Sequence, residues 1–121
     1  MSNIATHETH RLIASDKVEG TAVYNRTGDR LGTVSRFMVD KRTGQVDYAV
    51  LSFGGVFGLG REHYPLPWKV LDYDTEKGGY VVDLDKSVLE QAPHYAADSE
   101  PDYNHVYGRE IYGYYGMLYP Y

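Results

Sequence analysis

The chain has 121 residues, a net charge of −5 and no cysteine. This length corresponds to one domain with short appendages, and the lack of cysteine excludes a disulfide framework, a thiolate metal site and a thiol nucleophile. The 17 acidic against 12 basic side chains disfavour nucleic acid as a partner, because proteins that bind nucleic acid carry a clustered basic excess.

The first eleven residues are polar and aperiodic, which predicts a flexible arm. They contain no apolar run that could form the core of a signal peptide, and no stretch of the chain approaches the ~18 apolar residues of a membrane span. We therefore expect a cytoplasmic protein that does not insert into a membrane. The arm's two histidines, His7 and His10, lie three residues apart rather than the four of the HExxH motif, so no metal site is predicted.

Short β-rich segments with turn signals about every ten residues follow, at 21–25, 30–40, 45–53, 64–68, 70–73 and 80–84. In the second segment the apolar positions Leu31, Val34 and Phe37 change phase, which a strand of period two allows only with a bulge or bend. In the fourth, Pro65 and Pro67 each remove a backbone donor and predict an edge strand or a bulge. Six such strands predict an all-β fold, a small antiparallel barrel.

The third segment is apolar on both faces, since Tyr48 and Val50 alternate with Ala49, Leu51 and Phe53. A strand of this kind is central or has a partner lying over its outer face. We therefore predict a homodimer or larger assembly. The alternation within the strands also predicts the barrel core: Val23, Leu31, Val34, Val39, Val46, Val50, Leu66, Leu71 and Val82.

The chain after the last strand divides into a short helix and an aromatic tail. Asp85 can cap a helix that runs to Ala92 and ends at Pro93. Residues 103–121 hold seven of the 13 tyrosines and three glycines. Because tyrosine is favoured where a ring is buried and its hydroxyl stays wet, we predict that this tail folds back on a barrel, its own or a neighbour's, near Phe57 and Leu59.

The glycine-rich loop at 54–60 lacks the GK[ST] ending of a phosphate loop and precedes a strand, so nucleotide binding is not predicted. Its apolar side chains either tuck under the barrel or are presented to a partner. Together with the tail they form the candidate interaction surface: Val56, Phe57, Leu59, Tyr112, Tyr114, Tyr115 and Tyr119. Glu62 and His63 resemble a base with its orienting carboxylate, but no nucleophile accompanies them, so we predict no catalytic residue and no cofactor.

The ordered set of glycines, apolar residues and the Pro67-Trp68 pair resembles the PRC-barrel family over about residues 12–95. The residues that carry the resemblance are Gly20, Val23, Asn25, Gly28, Leu31, Gly32, Val34, Asp40, Gly44, Val46, Tyr48, Ala49, Val50, Gly54, Gly55, Gly58, Gly60, Pro67, Trp68, Leu71, Leu89, Ala92 and Pro93. The resemblance implies a six-stranded antiparallel barrel at 12–95, between a flexible arm at 1–11 and a Tyr/Gly-rich tail at 96–121.

The same resemblance implies a non-enzymatic role, because the stand-alone members bind or assemble and supply no catalytic residues to carry over. We expect a self-associating module that docks to a protein partner. Two alternatives follow from other members of the family: an RNA- or ribosome-associated maturation or stress factor, and a peripheral subunit near a membrane electron-transfer complex. The charge of −5 counts against the first alternative. Against the second, the sequence shows no basic amphipathic helix of the kind that binds a membrane surface.

Overall fold

The computed structural model describes residues 11–53 and 62–121. These residues form seven strands: β1 (Ala22–Asn25), β2 (Arg30–Val39), β3 (Val46–Phe53), β4 (Glu62–Pro67), β5 (Asp72–Asp74), β6 (Gly79–Val82) and β7 (Tyr95–Ala96). They also form the helices α1 (Ser15–Val18), α2 (Lys86–Glu90) and α3 (His105–Tyr114), and a 3-10 turn at Trp68–Val70. In the described part of the chain no helix is long and apolar enough to cross a membrane.

The strands make one sheet in the order β5-β6-β1-β2-β3-β4-β7. All neighbours are antiparallel except β1 and β6, which are parallel. The prediction of six antiparallel strands closed into a barrel is therefore wrong, although the mostly-β class and the short helix after the sheet are confirmed. The chain crosses from β4 to β5 at the opposite end of the sheet and turns from β5 into β6, so β6 reaches β1 from a distant segment and not by a hairpin, which permits parallel pairing. The end strands β5 and β7 have three and two residues and are not paired with each other, so the sheet stays open.

One face of the sheet packs on α1 and α2 around an aliphatic core. The predicted core residues that are buried in this cluster are Val23, Leu31, Val34, Leu66, Leu71 and Val82. Val50 is also fully buried. Val39 is 46% exposed and Val46 is only partly buried, so these two predictions are wrong. The reason is a register shift of the β2–β3 pair between Met38 and Val39, which breaks the alternation on which the prediction rested.

The two irregularities predicted within the strands are confirmed. The β2–β3 register shifts between Val34 and Arg36, which puts Phe37 opposite Ala49 and against the core. β4 pairs with β3 along its whole length, but on its other side only its first two residues pair with β7. Pro65 and Pro67 therefore lie where β4 is an edge strand, and their missing N–H groups leave no ladder bond unmade.

Candidate interaction surface

The aromatic tail folds onto the second face of the sheet as helix α3. The helix begins at Asn104, whose side-chain oxygen accepts a hydrogen bond from the backbone N–H of Tyr107 at 2.9 Å. Its inner side buries Gly108, Ile111 and Tyr112. The sequence predicts a tail here but not a helix, because two glycines and several aromatic residues lower helix propensity. The Asn cap and the i, i+4 spacing of Tyr107 and Ile111 were the available signals.

The inner side of α3 meets β3 in a second buried cluster, centred on Tyr48, Ile111 and Tyr112. Partly buried side chains surround these three: Met38, Tyr103, Tyr107, Tyr115, Met117 and Tyr119. The prediction that the tail folds back is confirmed, and it folds onto its own chain; its proposed contact with Phe57 and Leu59 lies outside the described residues. The second apolar face of β3 is thus covered in cis, so it no longer argues for a second copy.

Tyrosine hydroxyls fix the tail at several points of the sheet and of α2. The hydroxyl of Tyr112 donates to the backbone oxygen of Asp47 at 2.9 Å, and that of Tyr121 donates to the Asp47 carboxylate at 2.9 and 3.1 Å. The hydroxyl of Tyr114 donates to the backbone oxygen of Val88 in α2. These tyrosines therefore pack with their rings and hydrogen-bond polar atoms with their hydroxyls.

The chain reverses after α3 and returns across the helix. Gly116 has a φ of +72°, a left-handed conformation that glycine adopts without strain. The returning segment places the Tyr119 ring against Gly108, where an added Cβ would lie 2.3 Å from Cε1 of that ring. The absence of a side chain at Gly108 is therefore required by the packing of the tail on itself.

The outward side of α3 has a different composition. Val106 (68% exposed), Arg109, Glu110 and Gly113 are all exposed and follow the spacing i, i+3, i+4, i+7 of one helix face. A Cβ added at Gly113 would meet no atom of the described residues within 4 Å. We call these four residues the outer face of α3. This face was not predicted from the sequence, because it exists only if the segment is a helix.

The candidate residues of the sequence analysis occupy different environments. Val56, Phe57 and Leu59 lie outside the described residues. Tyr112 is buried against the sheet, Tyr115 and Tyr119 are partly buried, and Tyr114 is exposed. Their role in binding a partner stays a prediction. The most exposed apolar side chain of the tail is Leu118, at 94%.

The pair Glu62 and His63 lies at the junction of β4 and β7. His63 is buried, and its ring packs edge-on against Tyr95 at 5.6 Å. Burial lowers the pKa of His63, and the Arg36 guanidinium lowers it further. The Glu62 carboxylate lies 3.8 Å from Nε2 of His94. Among residues 11–53 and 62–121 no three His, Asp or Glu side chains are grouped to hold a metal ion.

Comparison with known proteins identifies the sheet. Residues 10–89, more than half of the 121-residue chain, match the PRC-barrel domain. The chain therefore belongs to the PRC-barrel family, and the resemblance seen in the sequence is confirmed. The match ends at α2, so β7, the linker and α3 lie beyond it.

Two similar proteins extend the comparison. An uncharacterized protein of Deinococcus radiodurans is 30% identical over 79 residues, which are 65% of this chain and 28% of that protein. A solved structure of a 16S ribosomal RNA processing protein, RimM, of Pseudomonas aeruginosa is 18% identical with a TM-score of 0.41, over 65% of this chain and 48% of that one. The chain thus spans less than half the length of either relative.

Proposed function

We propose that this protein is a non-enzymatic PRC-barrel module that self-associates through the outer face of α3 and so assembles its protein partners in pairs. The proposal rests on the order of residues along that face, which is complementary to the same face of a second, antiparallel copy. The inner side of α3 is fully used by the sheet of the same chain, whereas the outer face exposes a valine, a charge pair and a glycine.

Nothing in residues 11–53 and 62–121 explains the glycine at 113. A glycine inside a helix costs about 1 kcal/mol relative to alanine. Gly108 is required by the Tyr119 ring, but Gly113 has a helical φ and open space where a side chain would project. Close approach of another molecule is a reason for glycine at such a place.

The order of the four residues suits a second copy of the same helix. The midpoint of His105–Tyr114 falls between Arg109 and Glu110. An antiparallel pair with its two-fold axis at this midpoint sets Val106 of each copy against Gly113 of the other, and Arg109 of each against Glu110 of the other. Each valine side chain then faces the space beside a glycine, and each arginine faces a glutamate. Both contacts occur twice, as the two-fold symmetry of an isologous interface requires. For a chain with a net charge of −5, such local complementarity also offsets the repulsion between copies.

Charge exchange tests this pairing. In sedimentation velocity of the full chain at micromolar concentration, we expect the unaltered protein to dimerise and both Arg109→Glu and Glu110→Arg to shift it toward the 13.7 kDa monomer. The double variant Arg109→Glu/Glu110→Arg should recover the dimer. Arg30→Glu is the control, because it makes the same charge change at an exposed position at the start of β2. A monomeric unaltered protein, or a double variant no better than the singles, would contradict the proposal.

A further inference from the structure

Tyrosines of the tail form a continuous series of edge-packed rings together with Tyr48 of β3 and Tyr95 of β7. Successive ring centroids lie 6.3, 5.2, 5.6, 5.4 and 5.5 Å apart. We call this series the tyrosine chain: Tyr95, Tyr103, Tyr48, Tyr112, Tyr119 and Tyr121. Within the described residues, ring contacts connect its Tyr95 end to its Tyr121 end only through Tyr48.

Packing explains the rings, and hydrogen bonds to Asp47 explain the hydroxyls of Tyr112 and Tyr121, but other tyrosine hydroxyls beside them have no such role. Residues 103–121 contain seven tyrosines and no phenylalanine, although the chain uses phenylalanine elsewhere. The hydroxyls of Tyr107 and Tyr115 are buried and have no hydrogen-bond partner among the described residues. A buried hydroxyl without a partner costs about 1–3 kcal/mol, and phenylalanine would fill the same space without that cost. With phenylalanine in their place the ring contacts of the tyrosine chain would remain, but one property of the phenol would be lost.

That property is one-electron oxidation. A phenol gives up an electron readily when a nearby base takes its proton, whereas a phenylalanine ring does not, and electrons exchange quickly between aromatic rings in contact. The two ends of the tyrosine chain differ in this respect. The hydroxyls of Tyr95 and Tyr103 contact each other at 2.7 Å, and neither is a strong proton acceptor.

The Tyr121 end has both a base and access to solvent. The hydroxyl of Tyr121 donates to the Asp47 carboxylate, and that hydrogen bond raises the pKa of Tyr121 to about 12, so the phenol keeps its proton at neutral pH. Nδ1 of His105 lies 3.0 Å from the hydroxyl of Tyr119, the next ring inward. Tyr121 is also 52% exposed.

We propose that the tyrosine chain conducts one-electron oxidation from the Tyr95 end to Tyr121, where Asp47 accepts the phenol proton and a tyrosyl radical forms at the surface. The co-reactant is a one-electron oxidant, either a diffusing radical or an oxidised metal complex. The oxidant takes one electron from a ring of the tyrosine chain, and the resulting electron hole moves by electron transfer between neighbouring rings. At Tyr121 the phenol proton then passes to the Asp47 carboxylate. The products are the reduced oxidant, a neutral Tyr121 radical and a neutral Asp47 carboxylic acid. Oxidative damage is thereby drawn away from the sheet.

The absence of cysteine allows oxidation to be started at one chosen place. Ser99 is exposed and lies between Tyr95 and Tyr103 in the sequence. In the full chain, Ser99→Cys would be labelled with a ruthenium(II) polypyridyl complex and oxidised by a flash with an external electron acceptor. Electron paramagnetic resonance of the trapped radical and mass-spectrometric mapping of oxidised tyrosines then locate the oxidation.

We expect the radical and its products at Tyr121. Tyr48→Phe keeps a ring in place but interrupts the chain, so products at Tyr121 should be lost and products at Tyr95 and Tyr103 should rise. Tyr24→Phe is the matched control, because Tyr24 contacts Lys77 and no ring of the chain. Asp47→Asn, which removes the base but not a hydrogen-bond acceptor, should also reduce the Tyr121 product.

Two results would overturn the proposal. One is a Tyr121 product that is unchanged in both Tyr48→Phe and Asp47→Asn. The other is oxidation confined to Tyr95 and Tyr103 in the protein that carries the labelled Ser99→Cys and no other substitution. Circular dichroism of each variant verifies that the fold is retained. Asp47→Asn leaves the Tyr48 ring in place, so it tests the base separately from the ring contacts.

Discussion

The two faces of the sheet are covered in different ways. The core beneath α1 and α2 is built mainly of aliphatic side chains, such as Val23, Leu66 and Leu89, which are fully buried. The layer formed by α3 has one fully buried aliphatic residue, Ile111, among tyrosines, of which Tyr112 and Tyr119 reach polar atoms with their hydroxyls. Water can replace those polar contacts if α3 detaches, whereas nothing replaces the aliphatic contacts of the core. We therefore expect the sheet and the tail to form two layers of unequal stability.

The largest effect should come from the core. Leu66→Ala removes a fully buried side chain of β4 and should reduce the free energy of unfolding by about 2–5 kcal/mol. Chemical denaturation followed by far-ultraviolet circular dichroism measures the loss. Leu12→Ala, at a residue 74% exposed, is the matched control and should change stability by less than about 0.5 kcal/mol. Equal effects of the two variants would mean that the core is wrongly placed.

A smaller effect is expected when the same kind of truncation is made in the tail layer. Ile111→Ala also empties a fully buried site, for which about 2–5 kcal/mol is typical. The loss cannot exceed the free energy that holds α3 on the sheet, because α3 can detach while the sheet remains folded. Near-ultraviolet circular dichroism, which reports the tyrosines, should therefore change before the strand signal does. A single transition seen by both probes would argue against two layers.

The two glycines of α3 make a matched pair for a still smaller effect. Gly113→Ala meets open space and should stabilise the helix by about 1 kcal/mol at concentrations where the chain is monomeric. Gly108→Ala gains the same propensity but displaces the Tyr119 ring and its contact with His105. We expect Gly108→Ala to be the less stable of the two in thermal melts. The opposite order would contradict the return of the chain across α3.

The smallest effect concerns pH at the β4–β7 junction. Burial, and then the Arg36 guanidinium, lower the pKa of His63 from 6.5, while Glu100 and Glu62 oppose the shift. The unfolded chain therefore binds the proton more readily, so stability is lost as the pH falls through 6.5 toward the lower pKa of the folded state. His63→Gln should weaken this fall in denaturation midpoints measured between pH 7.5 and about 5.5. An unchanged profile would show that His63 does not contribute.

The core layer was more predictable from the sequence than the layer formed by α3. Alternation correctly located most of the core, and the phase change at Phe37 and the prolines of β4 correctly indicated a bulge and an edge, because these signals are local. The parallel pairing of β1 with β6 was not predictable, since it depends on a crossover between distant segments. Val39 was misplaced by a register shift that leaves no mark in the pattern.

The candidate surface was only partly predictable. The tyrosine content correctly indicated that the tail docks, because so many rings are not left in water. It did not indicate a helix, since Gly108 and Gly113 lower helix propensity. Without the helix, Val106 could not be related to Gly113, and the tyrosines appeared as one adhesive segment rather than as an inner layer beneath an exposed face.

Amide hydrogen exchange of the full chain tests most directly whether α3 is a docked layer of lower stability than the sheet. We expect amides 108–115 to be protected but to exchange through an opening of lower free energy than the amides of β3. Ile111→Ala should remove the protection of amides 108–115 and leave that of β3. Unprotected amides at 108–115 in the unaltered protein would contradict the docking. Exchange of α3 and β3 at one common free energy would contradict the division into two layers.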